Sequence, residues 1–375
     1  MMRFGIDTLI HTDFAALSGQ RVGLFTNLCA VDRRLMTTYD IFRTSDAVNL
    51  AAIFSPEHGL AGMVADGVKV DSGVDPLTGL PLYSLYGETY RPTADMLAEI
   101  DVMVCDIQDI GVRYYTFLWT ITHIIEACGE HGVPVIVLDR PNPLGGDIVR
   151  GGGLDASLAS LVGRYDIPIQ HGLTMGEAVT LINALYNPNP AEITVIRCDG
   201  WQRAQDWTQI GRPFVPPSPA MPHISTARHY PGSCLIEGTT LSEGRGTSLP
   251  FEVVGAPNVD STATADALNA LNLAGVRFRP YRFQPTASKH AGAACGGVQV
   301  HITDAAQFDA LGAWLAVLAV LRPHYDWKEA HFDRLIGDTE TRAMIDAGEP
   351  VQAITGRWEN FLDDFAHKRR DYLLY

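Results

Sequence analysis

Asp101-Val-Met-Val-Cys-Asp106, the segment from Thr116 to His131, and Val133-Pro-Val-Ile-Val-Leu-Asp139 follow one another in the chain, and this stretch decides the fold. The two flanking runs are apolar without alternation, as strands buried on both faces are. The segment between them has helical patterning and stops at Gly132, where a C-cap glycine belongs. Strand, helix, strand in series implies a right-handed crossover between parallel neighbours. Upstream, Arg21-Val-Gly-Leu-Phe-Thr26 and Asn49-Leu-Ala-Ala-Ile-Phe-Ser55 read as two more buried strands. Downstream, Thr174-Met-Gly-Glu177 opens a helix as a capping box, and Ile193-Thr-Val-Ile-Arg197 supplies a fifth strand. The alternation predicts an α/β fold with a doubly wound, mostly parallel sheet.

Residues 211–257 have a different texture, dense in Pro, Gly, Ser and Thr, and read as a long loop region that is functional or a connector. Beyond it, Ser261 to Leu273 reads as a helix stopped by Gly275. Val276-Arg-Phe-Arg-Pro280 and Gly297-Val-Gln-Val-His-Ile302 read as strands, and Asp304 to Leu321 as a long amphipathic helix. With 375 residues, more than an ordinary single domain holds, the chain is expected to divide near 225–235. That gives a catalytic lobe over 1–230 and a smaller C-terminal α/β lobe over 231–375.

Apolar residues make up 46% of the chain and charged residues 19%, which excludes disorder. A formal net charge of −15 argues against nucleic-acid and membrane-surface partners. The six cysteines are scattered, with no C-x-x-C pair, and read as reduced thiols rather than zinc ligands. No secretory signal pattern opens the sequence and no apolar run reaches membrane-spanning length, so a cytoplasmic protein is expected. Oligomeric state is not legible.

Ligands of open parallel sheets bind beyond the carboxyl ends of the strands. Three strand ends carry chemistry here: Ser55-Pro-Glu57-His58-Gly59, then Asp106-Ile-Gln108-Asp109-Ile-Gly111-Val-Arg113-Tyr114-Tyr115, then Asp139-Arg140-Pro-Asn142-Pro143. Glu57, in a tight turn closed by Gly59 and with no helix to cap, is the leading catalytic residue. Asp106 is read either as a reagent or as a partner of loop amides. Asp109 is read as a cap of a turn, and Asp139–Arg140 as a pair that clamps the Pro-Asn-Pro loop. Glu177 belongs to its capping box. A second cluster, Glu237-Gly-Thr-Thr-Leu-Ser-Glu243-Gly-Arg245-Gly-Thr247, combines glycines that let a ligand approach backbone with polar anchors; His171 is a further candidate. Tyr83, Tyr86, Tyr114 and Tyr115 read either as stacking platforms for a sugar or as core. Phosphate-loop, dinucleotide, nucleophile-elbow and H-E-x-x-H signatures are absent from the sequence. Carboxylates are left as the reagents, and a protonated and an ionised carboxyl together are the equipment of glycoside hydrolysis.

Ser-Pro-Glu-His-Gly, Thr78-Gly-Leu-Pro-Leu-Tyr-Ser-Leu-Tyr-Gly87, Asp-Ile-Gln-Asp-Ile-Gly, Leu-Asp-Arg-Pro-Asn-Pro, the Glu237–Thr247 segment and the terminal Tyr372-Leu-Leu-Tyr375 resemble the DUF1343 family over nearly the whole chain. Its characterised members are NamZ-type exo-β-N-acetylmuramidases, glycoside hydrolase family 171. The resemblance implies a Rossmann-like lobe and a smaller C-terminal lobe. It also implies release of terminal β-linked N-acetylmuramic acid from the non-reducing end of peptidoglycan fragments, as in muropeptide turnover, with no cofactor and no metal. It makes Glu57 the leading catalytic candidate and Glu237, Glu243 and Arg245 substrate-binding candidates. The strand-end loops themselves offer Asp106 or Asp139, and the second cluster Glu243, as the second carboxylate; His58, Gln108, Arg113, Tyr114, Arg140, Asn142 and His171 are further substrate-binding candidates, with Arg113, Arg140 or Arg245 expected on the lactyl carboxylate. The alternatives are a non-catalytic amino-sugar-binding or sensor protein and a hydrolase of a different acylated sugar. A metal-dependent hydrolase built on Glu57, His58, Asp106 and His171 has no ligand spacing to support it.

Overall fold

The computed structural model describes residues 2–375. The chain forms two compact units, each assembled from separate stretches. One takes residues up to 148, residues 172–223 and the terminal residues 368–375, and the other takes residues 149–171 and 224–367.

The first unit is built on seven strands: β1 Arg21–Thr26, β2 Asn49–Ser55, β3 Gly73–Val74, β4 Pro81–Ser84, β5 Val102–Asp106, β6 Val135–Leu138 and β7 Ile193–Ile196. Their order is β3-β4-β2-β1-β5-β6-β7. Every neighbouring pair is parallel except β3 with β4. The chain steps outward from β1 through β2 to β4, then restarts on the other side of β1 at β5. The carboxyl ends of β1 and β5 therefore flank the switch point where open sheets of this kind place ligands. The expected doubly wound parallel sheet is present. All of β5 is buried, which explains its unbroken apolar run. Helix Thr116–His131 buries Phe117, Leu118, Trp119, Ile121, Ile124 and Ile125, and ends at Gly132 in the left-handed conformation (φ 67°).

The second unit holds a smaller antiparallel sheet of β8 Val253–Ala256, β9 Val276–Phe283 and β10 Cys295–Ile302, with β10 central. Two expectations are corrected here. The 211–257 stretch is not a long loop. It contains helix Ile224–Ser233 and strand β8. The helix carries Pro231 inside it, which hid it. Gly232 follows because a Cβ there would stand 2.2 Å from the Ala310 carbonyl oxygen. The helix expected from Asp304 begins at Ala310, since the Asp304 side chain holds a turn by accepting from the Ala306 amide at 2.9 Å. Nor is it amphipathic. Nine of its twelve residues are buried, so it is a core helix rather than a surface one.

No helix among the described residues is long and apolar enough to cross a membrane.

Candidate active site

Glu57 follows β2 and Pro56. The turn is closed by the Gly59 amide donating to the Pro56 carbonyl at 3.0 Å. His58 and Gly59 are both left-handed, with φ of 71° and 73°. A non-glycine residue in that region is strained, and such strain persists only where surroundings enforce it. Here the His58 Nδ1 is held at 2.7 Å from the Val64 carbonyl oxygen. The turn leaves the Glu57 side chain buried but surrounded by donors. Oε1 accepts from the Gly67 amide at 2.9 Å and Oε2 from the Thr116 hydroxyl at 2.7 Å. The Tyr86 phenol also bonds to Glu57, and burial together with the Glu57 charge pushes that phenol up. Thr116 opens the helix that follows β5, so the carboxylate is tied to two elements of the sheet's rim.

Asp106 ends β5 opposite Thr26 of β1. Arg140 grips it with both arms of the guanidinium, Nε to Oδ1 at 2.5 Å and Nη2 to Oδ2 at 2.9 Å, and Thr38 donates a short hydrogen bond to Oδ2. Arg140 also donates to the Val31 carbonyl at 3.0 Å. Its partner is thus Asp106 on the neighbouring strand, not Asp139 beside it in sequence. Asp139 has other obligations. Oδ1 accepts from the Gly176 and Arg140 amides at 2.8 and 3.0 Å, and Oδ2 from the Thr174 hydroxyl and the Tyr375 phenol at 2.7 and 2.8 Å. Burial raises its carboxyl to about 6 against those donors. Glu177 completes its capping box on Thr174 and also takes Arg203 and the Leu374 amide. The C-terminal segment is therefore wired into the sheet's rim.

Asp109 does cap a turn, accepting at Oδ1 from the Gly111 amide at 2.6 Å. Burial raises its carboxyl to about 7, opposed by the amides of Gly111 and Ile110. Gly111 is left-handed, and a Cβ there would lie 2.3 Å from Asn142 Oδ1. Asn142 itself ties the loop to the Leu173 carbonyl at 2.9 Å. Gln108 donates to the Asp109 and Pro141 carbonyls at 2.7 and 3.3 Å. Arg113, Tyr114 and Tyr115 are all buried, so the two tyrosines are core rather than open sugar platforms. Tyr86, half-buried beside Glu57, packs edge to face on the exposed Tyr90 at 5.6 Å. Tyr83 packs on Phe54.

The second unit contains His171, Glu237, Glu243 and Arg245. Arg245 bonds Glu237 Oε1 through Nε and Nη2 at 3.1 and 2.7 Å, lies 3.5 Å from Glu243 and sits over the Phe251 ring. Lys289, which sequence reading missed, approaches Glu243 at 2.9 Å and donates to the Ile236 and Leu241 carbonyls. Burial disfavours the ionised form of Glu237, yet Arg245 and His331 bring it down to about 2. The Glu237–Thr247 segment is thus a charged cluster on a built loop, anchored where Ser242 bridges Gly255 of β8. His171 is buried. Among the described residues, no group of three His, Cys, Asp or Glu side chains is placed to hold a metal ion.

Known proteins resemble the chain from end to end. Residues 22–225 match the N-terminal domain of the family described as exo-β-N-acetylmuramidase NamZ, and residues 228–375 its C-terminal domain. Peptidoglycan β-N-acetylmuramidase NamZ of Bacillus subtilis (strain 168) is 42% identical over 99% of this chain and 91% of its own length. Two crystal structures of DUF1343 family proteins from Bacteroides fragilis NCTC 9343 superpose over the whole chain and 99% of their own. Their TM-scores are 0.93 and 0.81, at 36% and 29% identity. Two domain matches in the right order and a full-length relative at this identity leave one conclusion: the chain belongs to the exo-β-N-acetylmuramidase NamZ family.

Proposed function

We propose that this protein is a glycoside hydrolase that removes terminal β-linked N-acetylmuramic acid from the non-reducing end of peptidoglycan fragments. The observation that carries the reading is the 42% identity to a peptidoglycan β-N-acetylmuramidase across 99% of the chain. Glu57 supplies the chemistry in this reading. It is a carboxylate at the rim of a parallel sheet, in a strained turn, oriented through both oxygens. Orientation of this kind is what a group engaged in proton transfer at a glycosidic bond needs. The loops bearing Gln108 and Asn142, in the same unit as Glu57, contribute binding groups. Of the three arginines considered for the lactyl carboxylate, Arg140 is spent on Asp106, Arg113 is fully buried and Arg245 is held by Glu237. The substrates we assign are short muropeptides inside the cell, a setting that suits six free cysteines. Recovery from the envelope fraction rather than the cytosol would contradict that placement.

The test is release of free sugar by the wild-type protein from 4-nitrophenyl β-N-acetylmuramide, with the matching β-N-acetylglucosaminide as control. Cleavage of the muramide in preference to the glucosaminide is expected. Binding without turnover would point to the sensor alternative, and preference for the glucosaminide to a different acylated sugar.

A further inference from the structure

Four buried carboxyl groups stand at or just beyond the carboxyl ends of β2, β5 and β6: Glu57, Asp106, Asp109 and Asp139. Three have donors on both oxygens. Glu57 has Gly67 and Thr116. Asp106 has Arg140 on each oxygen and Thr38 on one. Asp139 has Gly176 and Arg140 amides on one oxygen, Thr174 and Tyr375 on the other. Asp109 differs. Its Oδ1 takes the Gly111 amide, while its Oδ2 is buried with no hydrogen-bond partner among the described residues.

A buried carboxylate oxygen without a donor costs far more than the same oxygen carrying a proton. The space beside this carboxyl is a cavity of about 10 Å³, lined by Asp109, Gln108, Gly111, Arg140 and Asn142, and so sized for a single water. The Gln108 Oε1 is a second buried acceptor without a partner. Both residues that carry these unpartnered acceptors line the same water-sized cavity.

Asp109 and Glu57 also act on a common neighbour: both charges oppose ionisation of the buried Tyr115 phenol. The charged group across the cavity, Arg140, is committed to Asp106.

We infer that Asp109 is the proton donor of the reaction, holding a proton on Oδ2 and passing it through the water of this cavity to the leaving-group oxygen. The inference rests on the glycosidase reading above. The Oδ2–H proton moves to the water, and a proton of that water moves to the glycosidic oxygen, which keeps the bonding pair of the broken C1–O bond. A second water supplies the hydroxyl that C1 gains, and its remaining proton goes to Glu57. Glu57 suits the accepting role because the Gly67 amide can only donate to it. The sequence reads Asp109 as a turn cap and Glu57 as the leading catalytic residue. The turn is real, but it uses only one of the two Asp109 oxygens. Burial of the carboxyl, which raises it to about 7, agrees with a group that keeps its proton near neutral pH.

A proton donor matters in proportion to how poor the leaving group is. The experiment measures kcat/KM of wild type and Asp109→Asn on two substrates. One is 4-nitrophenyl β-N-acetylmuramide, whose phenolate leaves without help; the other is N-acetylmuramic acid β-linked to N-acetylglucosamine, whose alkoxide does not. The expected loss is about 10²–10⁴-fold on the disaccharide and less than about tenfold on the nitrophenyl sugar, whose departure needs no proton. Equal losses on both, or none on either, would overturn the assignment. Should the variant fail to fold, wild type alone decides. Its kcat/KM on the disaccharide should fall as pH rises through about 7, with no such limb on the nitrophenyl sugar. A limb common to both substrates would overturn the assignment. Wild-type cleavage of neither substrate would overturn the glycosidase reading itself, a result distinct from either.

Discussion

Replacing Asp106 with Asn separates structure from chemistry at the rim. Asp106 and Arg140 have side chains 0% and 3% exposed, and the guanidinium reaches both carboxylate oxygens. Asp106→Asn keeps the shape but removes the negative charge and turns an –NH₂ toward a guanidinium that has nothing to offer it but donors. Losing one partner of a buried, hydrogen-bonded ion pair costs about 3–5 kcal/mol, because the other charge stays buried. The first unit spans roughly 200 residues, for which an unfolding entropy of about 0.4 kcal/mol/K applies. The predicted fall in Tm is therefore about 7–12 °C. The double variant Asp106→Leu with Arg140→Met, which removes both charges and restores apolar volume, should recover most of it. The assay is a thermal melt followed by near-ultraviolet circular dichroism, with turnover measured well below the melting range. If Asp106 is structural, the folded Asn variant keeps turnover within about tenfold. A Tm within about 2 °C of wild type, combined with a loss near 10³-fold in kcat, would refute the reasoning and make Asp106 a reagent.

Two other perturbations test the wiring. Tyr375→Phe removes the phenol that donates to Asp139 and accepts the Cys198 amide at 2.7 Å, which should cost about 1–3 kcal/mol in urea unfolding; an unchanged midpoint would show that the C-terminal tyrosine is dispensable. His229, buried between Phe308 and Trp314, is pulled down by burial to about 3 from its ordinary 6.5. Its folded value lies below its unfolded value, so the stability it contributes is intact above about pH 6.5 and drains as pH falls toward 3. Between pH 7 and 4.5 the loss should be on the order of 2 kcal/mol, and His229→Leu should flatten that part of the profile.

The sheet was legible because its strands are buried on both faces and write themselves as apolar runs, and the helix from Thr116 because its glycine stop is local. What escaped has physical reasons. β3, an edge strand of two residues, and its four-residue neighbour β4 have little burial to mark them. Helix Ile224–Ser233 contains a proline, and a glycine where it packs tightly on the Ala310–Leu321 helix, a demand no local pattern reveals. At the rim, sequence identified the loops but not the pairings. Arg140 sits next to Asp139 in the chain yet reaches across to Asp106 on the adjacent strand. Tyr375 lies 236 residues from the carboxylate it donates to. Asp109 was read as a cap from its turn-forming neighbours, and only burial distinguishes its second oxygen. Glu57 was the reverse case, since the absence of any helix to cap made it conspicuous from the sequence.

The account's central claim is tested most directly by Glu57→Gln, which preserves the side chain's size while removing its capacity to take or give a proton. The measurement is kcat/KM on 4-nitrophenyl β-N-acetylmuramide beside wild type, with near-ultraviolet circular dichroism confirming the fold. The account predicts a folded variant whose kcat/KM is lower by about 10²–10⁴-fold. A folded variant with activity close to wild type would contradict it and remove Glu57 from the chemistry.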